Sequence, residues 1–564
     1  MAGITIDFND LNLDQIKKLE KAAYDMQLSY NDLIVDISKK QKIGPLWWIT
    51  SIPARDLQLS PLFLRCAYLA LIKEYLDNKI QIEKIVVSDK ALKKVIIDFF
   101  LKEEMVVIVE GNNYDRQRRF KKKLRIPYLF LRTLQMFQNG SKYKNILPDV
   151  KDKEITLIDT FLMDATVKKK EYSERYFNGL LSFLSEEEKE SLYFFPTLTF
   201  TIRNYSKKYK LMMGYDNIKF LPQECFLNFK DYLEAWKYLA NNYSYKYEEI
   251  KFKGFEISRL LDDEMRFESS NYSTMLAYLR FKAITRMKEN KVSVKHVLDW
   301  FEGQPIDKAT FYGFNICYPD TKTVAYNGNV GNILLNMKVK VTEEEKNNNI
   351  IAKETTVMGK GMIKPISEYC INQKIYVAPA FRFKELWEKN VDLGKRIIVA
   401  LPIGVEFSKG IIKLLNQVLI ENVEFHKYEI IIKKHPADDS KNYMELIKHN
   451  NVKFTNEAFS LLLEDCGLLI SGASSTCLET IARGIPVVVM GNTKGLTMNT
   501  IPPEITKDIW ELCYSKDDLC QAIDYFISKR NSNEKKLKKV GEEIKKIYFE
   551  PVTADAARRL LDLV

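Results

Sequence analysis

Histidine is scarce in this chain, with four among 564 residues, so one standing at the end of a buried strand is singled out. The eight cysteines include no C-x-x-C pair. Several lie in apolar runs, as free buried thiols do, which points to a reducing compartment. No uninterrupted apolar stretch is long enough to span a bilayer. The start, MAGITIDFNDLNLDQIKK, is polar and acidic, unlike a secretory signal or transit peptide. The expectation is a cytoplasmic protein. Internal repeats, low-complexity tracts and nucleic-acid motifs are also missing, so no nucleic-acid partner is expected.

The length exceeds what one hydrophobic core supports, so two or more domains are expected. Hydrophobic residues at 46% and charged residues at 29% are ordinary for a folded chain. The net charge of +11 is a mild bias that suits anionic partners.

Short β-rich runs alternate with amphipathic helices from Leu46 onward, the pattern of parallel, helix-covered sheets. Residues 112–150 interrupt it. There Arg116, Arg118, Arg119, Lys121, Lys122, Lys123 and Arg125 precede the apolar segment IPYLFLRTLQMF. A basic cluster beside such a segment suits a helix lying on an anionic leaflet, and 116–137 is a candidate membrane-surface element. Equally, it suits a solvated basic face followed by a core helix. Residues 230–296 read as mostly helical, and the lysine-rich interval 337–354 as an exposed loop. From about 395 the alternation is clean: RIIVALPIG, YEIIIKKHP, LLISG and IPVVVMG are strands of a doubly wound domain.

Two features fall at the carboxyl edge of that sheet, where ligands bind in open parallel sheets. Lys433, Lys434, His435 and Pro436 follow the strand EIII. The proline stops the strand, while Lys434 and His435 supply a cation and a proton donor. Further on, Ser471, Gly472, Ser474, Ser475 and Thr476 bring hydroxyls and backbone N–H groups to a helix start, a cradle for phosphate. Thr476 and Glu479 have capping-box spacing, which satisfies that helix end without a ligand; Glu479 alternatively holds ribose hydroxyls. Gly404, in the turn after RIIVALPI, is a further donor-side candidate.

K-K-H-P followed by S-G-A-S-S-x-x-x-E-x-x-x-x-G-x-P-V resembles the C-terminal halves of bacterial surface-polysaccharide glycosyltransferases of the GT-B superfamily. Capsule Kdo-transferases and bacterial polysialyltransferases are the nearest in motif. The resemblance covers about 395–500. It implies two Rossmann-like domains facing a cleft. Residues 1–385 would form the acceptor domain, with helical insertions at 112–150 and 230–296. Residues 386–545 would form the donor domain, and 546–564 a helix packing back on the first domain. His435 would donate to the leaving phosphate, and Ser474 and Ser475 would hold it, as for a CMP-sugar.

Those families carry an acidic motif ending in glycine, with one carboxylate as general base. Its counterpart here is Asp299-Trp300-Phe301-Glu302-Gly303-Gln304, with aromatic residues between the acids, and Glu302 is the candidate base. Glu110 in VVIVEGNN is its rival; Asp56 and Asp159 are weaker candidates. Arg55, Tyr326 and Asn327 are acceptor or cleft candidates, and Arg175, Tyr176 and Gly179 stand out without a role.

The activity so implied is inverting, metal-independent transfer of a sugar, best a CMP-linked 2-keto sugar such as Kdo or sialic acid. The acceptor would be a bacterial surface glycan or glycolipid. No cofactor is expected, since the nucleotide sugar is substrate. Asp262-Asp263-Glu264 and Asp438-Asp439 only mimic a metal motif. Two alternatives stay open. One is a CDP-polyol phosphotransferase of teichoic-acid type, which needs a second cleft histidine, with His296 the one placed for it. The other is a UDP-sugar-using enzyme or epimerase.

Overall fold

The computed structural model describes the chain except residues 1–2, 41–43, 112–113, 165, 168–171, 173, 200–201, 332–334, 389–392, 436–442, 473, 529 and 564. For 111, 114–123, 243 and 530–532 only the backbone is described. Among the described residues the architecture is α/β, with two six-stranded sheets, a three-stranded sheet and a small hairpin.

The C-terminal sheet orders its strands as Val452–Thr455, Ile430–Lys433, Arg396–Ala400, Cys466–Ser471, Val487–Met490 and Trp510–Cys513. All pairings are parallel. The central segments IIVA, IIIK, CGLLIS and VVVM are near-continuous apolar runs, as strands covered on both faces require. Separate cores lie on the two faces. The order reverses between Arg396–Ala400 and Cys466–Ser471, and their carboxyl ends flank the crevice of a Rossmann-like sheet.

The middle sheet has the order Lys374–Val377, Glu354–Val357, Lys322–Asn327, Ser293–Trp300, Glu154–Leu162 and Leu192–Leu198, again all parallel. Its switch point lies between Glu154–Leu162 and Ser293–Trp300. The chain thus carries two Rossmann-like sheets, and the loop after Ser293–Trp300 faces the cleft between them.

Beside the middle sheet, the stretch 1–385 carries a separate three-stranded sheet, in which Ile4–Asp7, Ile82–Val87 and Ile108–Gly111 pair with one another around a core of their own. This first unit also touches the C-terminal sheet domain. Glu20 accepts the Thr497 N–H at 2.9 Å and the Tyr514 hydroxyl, and Leu496 is buried in the first unit's core.

The 112–150 region is the helix Tyr114–Lys142, and 230–296 contains the helices Phe229–Ser244, Ser258–Glu268 and Tyr272–Glu289. The interval 337–354 is not an exposed loop. Lys340 and Glu345 are buried, and Glu345 receives both Arg55 and Lys308 at 2.6 Å.

Helix Arg530–Tyr548 runs from the C-terminal domain to the middle one. Gly541 lies against Gly484, while Gly359 and Gly361 leave room for Tyr548, whose atoms a side chain there would meet within 2.3 and 2.6 Å. The last helix, Ala554–Leu560, lies on the middle domain, where Arg558 forks onto Glu188 at 2.8 and 2.5 Å.

Candidate active site

Lys433, Ala400 and Ser471 pair in one register row across three strands of the C-terminal sheet. The histidine and serine arms leave the sheet at opposite ends of this row. The strand Arg396–Ala400 lies between them, so the two arms are not on neighbouring strands. Two strand spacings separate their roots by about 10 Å, a span that a phosphate plus part of a nucleoside fills. Lys434 and His435 are half-buried at the rim. Pro436 and Asp438–Asp439 lie outside the described residues.

The strand between the arms leads to Gly404, which has φ +117° and caps the helix Val405–Glu421 without any side-chain cap. Among the described residues nothing lies within 4 Å of where its Cβ would stand. A 17-residue helix thus begins without a side-chain cap at the centre of the rim. Such an end attracts anions through its unpaired donors and its dipole. The helix begins at Val405, so its uncapped start lies at the ligand edge.

The serine turn is more structural than its sequence suggests. Ser471 is buried and donates its hydroxyl to Ala400 O at 2.9 Å, tying the two switch-point strands together. Gly472 is a close approach, since a Cβ there would meet Pro402 at 2.6 Å. Ser474, not Thr476, is the N-cap; its Oγ accepts the Thr476 N–H at 3.4 Å, and no Thr476–Glu479 capping box forms. The helix it opens has seven residues, so its dipole is the lesser of the two. Ser475 is half-buried, and the Thr476 hydroxyl is buried with no hydrogen-bond partner among the described residues. Burial pushes the Glu479 carboxyl up to about 7, against the opposing charges of Arg483 and Arg382.

Across the cleft, Glu302 sits on the turn after Ser293–Trp300. Its Oε1 accepts Trp300 Nε1 at 3.0 Å and Asn329 Nδ2 at 2.8 Å. The turn is held by Asp307, whose Oδ2 accepts the N–H groups of Glu302 and Gln304, both at 2.9 Å. Gly303 has φ +70°, and a Cβ there would stand 2.2 Å from Lys338 O, so glycine alone fits.

The other acids of this region are buried beneath the turn. Among the described residues neither oxygen of Asp299 has a hydrogen-bond partner, and burial raises its carboxyl well above the ordinary range, with the negative charges of Asp307 and Asp159 adding to the effect. Burial lifts Asp307 to about 8, and Asp159 to about 6 despite Arg280 at 2.6 Å. Of the two acids in D-W-F-E, only Glu302 reaches the cleft; Asp299 is interior.

Arg382, unmarked in the sequence, joins the two sides. It donates to Asn329 Oδ1 and lies 5.7 Å from the Trp300 ring. Burial and the charge of Arg175 lower its pKa; Glu302 of the middle domain and Glu479 of the C-terminal domain both raise it. Arg175, exposed, and Tyr176, whose ring is 4.4 Å from Trp300, complete this wall. The signal for Arg382 was faint, an arginine between two phenylalanines.

Other candidates are placed elsewhere. Arg55 is buried, bonded to Asn31 at 2.6 Å, Lys340 O at 3.1 Å and Glu345 at 2.6 Å; it is a structural ion-pair residue, not an acceptor contact. Tyr326 is fully buried, with its hydroxyl on Pro379 O, so it supports the cleft from beneath and does not line it. Asn327 is buried in a small cavity with Asn329, Gly331 and Lys340. Glu110 is half-exposed on the edge strand of the first unit and pairs with Lys84 at 3.0 Å, on a different sheet from Glu302. Asp56 is buried against Lys338 at 3.1 Å.

His296 is buried toward the amino half of its strand, and burial lowers its pKa to about 4, so it is not a cleft group. Asp263 and Glu264 pair with Arg65 at 2.8 and 2.6 Å, which accounts for that acidic cluster. Among the described residues no group of three or more His, Cys, Asp or Glu is set to hold a metal.

No family model matches the chain, and no curated protein matches it. Solved structures do resemble it. A UDP-GlcNAc 2-epimerase from Neisseria meningitidis bound to UDP-GlcNAc is 10% identical, with 72% of this chain and 99% of that one covered and a TM-score of 0.43. MnaA of S. aureus with UDP is 10% identical, covering 73% and 98%, at 0.44. The glycosyltransferase SnogD from Streptomyces nogalater is 12% identical, covering 73% and 99%, at 0.39. Likeness at this level adds nothing to what the two sheets and their cleft already show.

Proposed function

We propose that this protein is an inverting glycosyltransferase that uses a nucleotide-sugar donor. The observation carrying the reading is the pairing of two unlike rims across one cleft. One presents Glu302, held by Asn329 and Trp300. The other presents Lys434, His435, the Ser474–Ser475 turn and the uncapped start of Val405–Glu421.

In this reading the nucleotide phosphate rests on the open N–H groups behind Gly404, with Lys434 and His435 on one flank and Ser474 and Ser475 on the other. Glu302 removes the proton of the acceptor hydroxyl as that oxygen attacks the anomeric carbon. The bond to the phosphate oxygen breaks with inversion, and His435 and the helix start stabilise the departing charge. Arg382 and Arg175 add positive charge near the reacting centre. The cations present are enough to balance the leaving phosphate, so the reading includes no metal.

The motif resemblance favours a CMP-linked 2-keto sugar as donor and a bacterial surface glycan as acceptor. The CDP-polyol alternative is disfavoured by the interior position of His296.

A thermal-shift screen of CMP-, UDP-, GDP- and CDP-linked compounds tests the reading. A ligand at about 100 times its Kd stabilises by ~2.7 kcal/mol. The expected result is a CMP-sugar shift that His435→Ala removes. A shift by UDP-sugars alone would replace this reading with a UDP-sugar enzyme or epimerase, and no shift by any nucleotide compound would overturn it.

A further inference from the structure

Helix Tyr114–Lys142 is inside out over its middle turns. Its protein-facing side carries Arg132, Thr133 and Asn139, buried to 5, 6 and 7% exposure, beside Leu129 and Met136. Its outward side carries Leu124, Ile126, Tyr128, Phe130, Leu131 and Leu134, all between 40 and 59% exposed. At 100° per residue these six positions wrap roughly 200° of the helix surface. A helix partnered only by water has the opposite arrangement.

The inward polar groups have specific reasons to be there. Arg132 donates to Ile202 O at 2.8 Å and lies over the Tyr205 ring, Asn139 donates to Ser206 at 2.8 Å, and Thr133 donates to Leu129 O at 2.7 Å.

A second helix extends the patch. Phe229–Ser244 runs alongside, with Phe130 near Trp236 at 6.4 Å and Phe137 near Phe229 at 5.6 Å. Its Phe229 and Leu233 are 58 and 54% exposed. Contiguous apolar surface on this scale marks an interaction site.

Charge selects the occupant. In sequence, Asp115 is the one acid of the first helix, against seven arginines and lysines between Arg116 and Arg125. Arg125, Lys230 and Lys237 are exposed beside the apolar face. Of the acids of the second helix, Asp231 is buried, and Glu234 is engaged by Lys282 at 2.8 Å and lies 3.9 Å from Lys230. No helix among the described residues is long and apolar enough to cross a membrane.

We propose that the outward faces of Tyr114–Lys142 and Phe229–Ser244 form one docking surface for an anionic lipid bilayer. The apolar side chains enter the head-group boundary, and the basic residues stay at the phosphate level. The first helix lies along the surface, and the second supplies Phe229 and Leu233 to the same plane. This surface shares no residue with the Glu302 and His435 rims, so the proposal stands or falls independently of the transferase reading.

The test is co-sedimentation of the full chain, without nucleotide, with vesicles of neutral phosphatidylcholine and with vesicles containing a quarter phosphatidylglycerol. The expected result is binding to the anionic vesicles that weakens with added salt. Leu131→Glu with Leu233→Glu should lower that partitioning roughly tenfold or more, with an unchanged circular-dichroism spectrum and melting curve, since both side chains are exposed. Arg125→Glu with Lys230→Glu should weaken only the anionic preference. Failure of the wild type to sediment with either vesicle would overturn the proposal. So would equal binding by the Leu131/Leu233 variant, or a concentration-dependent dimer that this variant abolishes while vesicles are ignored.

Discussion

Asn329 and Glu302 come from the turns after adjacent strands, and the amide of one fixes the carboxylate of the other at 2.8 Å. The same amide takes Arg382 on its oxygen. Its orientation is therefore set by an acceptor on one side and a donor on the other, and Glu302 is held with Oε1 occupied.

If Glu302 is the base, Glu302→Gln keeps the Asn329 and Trp300 contacts while losing the proton acceptor. Turnover should fall by about 10²- to 10⁴-fold, with donor affinity within about twofold of wild type. Initial rates alongside nucleotide-sugar titration check this. Unchanged turnover removes Glu302 from the mechanism.

Gly303→Ala places a methyl against Lys338 O in a left-handed conformation. Backbone strain of ~1–2 kcal/mol and overpacking of ~1–3 kcal/mol point to a loss of a few kcal/mol. Urea unfolding should show a lowered midpoint. A midpoint equal to wild type would mean the turn relaxes freely.

Arg55→Ala strips one cation from the fully buried Glu345. Breaking a buried pair costs ~3–5 kcal/mol because it leaves a charge uncompensated. The outcome expected is reduced stability with unaltered KM for the acceptor in the folded fraction. A raised KM at intact stability would restore Arg55 as an acceptor contact.

Burial holds the Asp307 carboxyl at about 8, whereas in the unfolded chain it returns to the ordinary carboxylate range. Between those values the folded state keeps a proton the unfolded state has released, so stability is full at the acid end and falls as pH climbs toward 8. Glu224 and Glu479, both raised to about 7, act in the same direction. Melting temperatures at about pH 6.5 and 8.5 should drop at the higher value. Asp307→Asn should shrink the drop, and an undiminished drop would clear Asp307 of the effect.

The C-terminal sheet was readable because its strands are β-branched runs bounded by glycine, proline and hydroxyl residues, so period and punctuation agree. Its rim candidates followed from topology, and Lys434, His435, Ser474 and Gly404 do stand at that edge. What sequence left hidden depends on long-range contact. Nothing local announces that Glu345 is enclosed by Arg55 and Lys308, or that Arg382 reaches Asn329 from a distant segment. Nothing in the sequence marks Val405 as the first residue of its helix, because glycine in place of a capping side chain leaves no start signal. That Ile4–Asp7, Ile82–Val87 and Ile108–Gly111 form a sheet of their own was not legible, because pairing partners are not written in periodicity.

The main chain passes between the middle and C-terminal domains twice, once after Phe383 and again after Tyr548, and the passes are laced by the Ala380 N–H to Glu550 O bond at 2.9 Å. Val357, Met358 and Met362 of the middle domain share one buried core with Leu478, Ile481 and Val487 of the C-terminal domain, so the two cannot part along this side without exposing that apolar surface to water. The Glu20 contacts to Thr497 and Tyr514 add a separate join, between the first unit and the C-terminal domain.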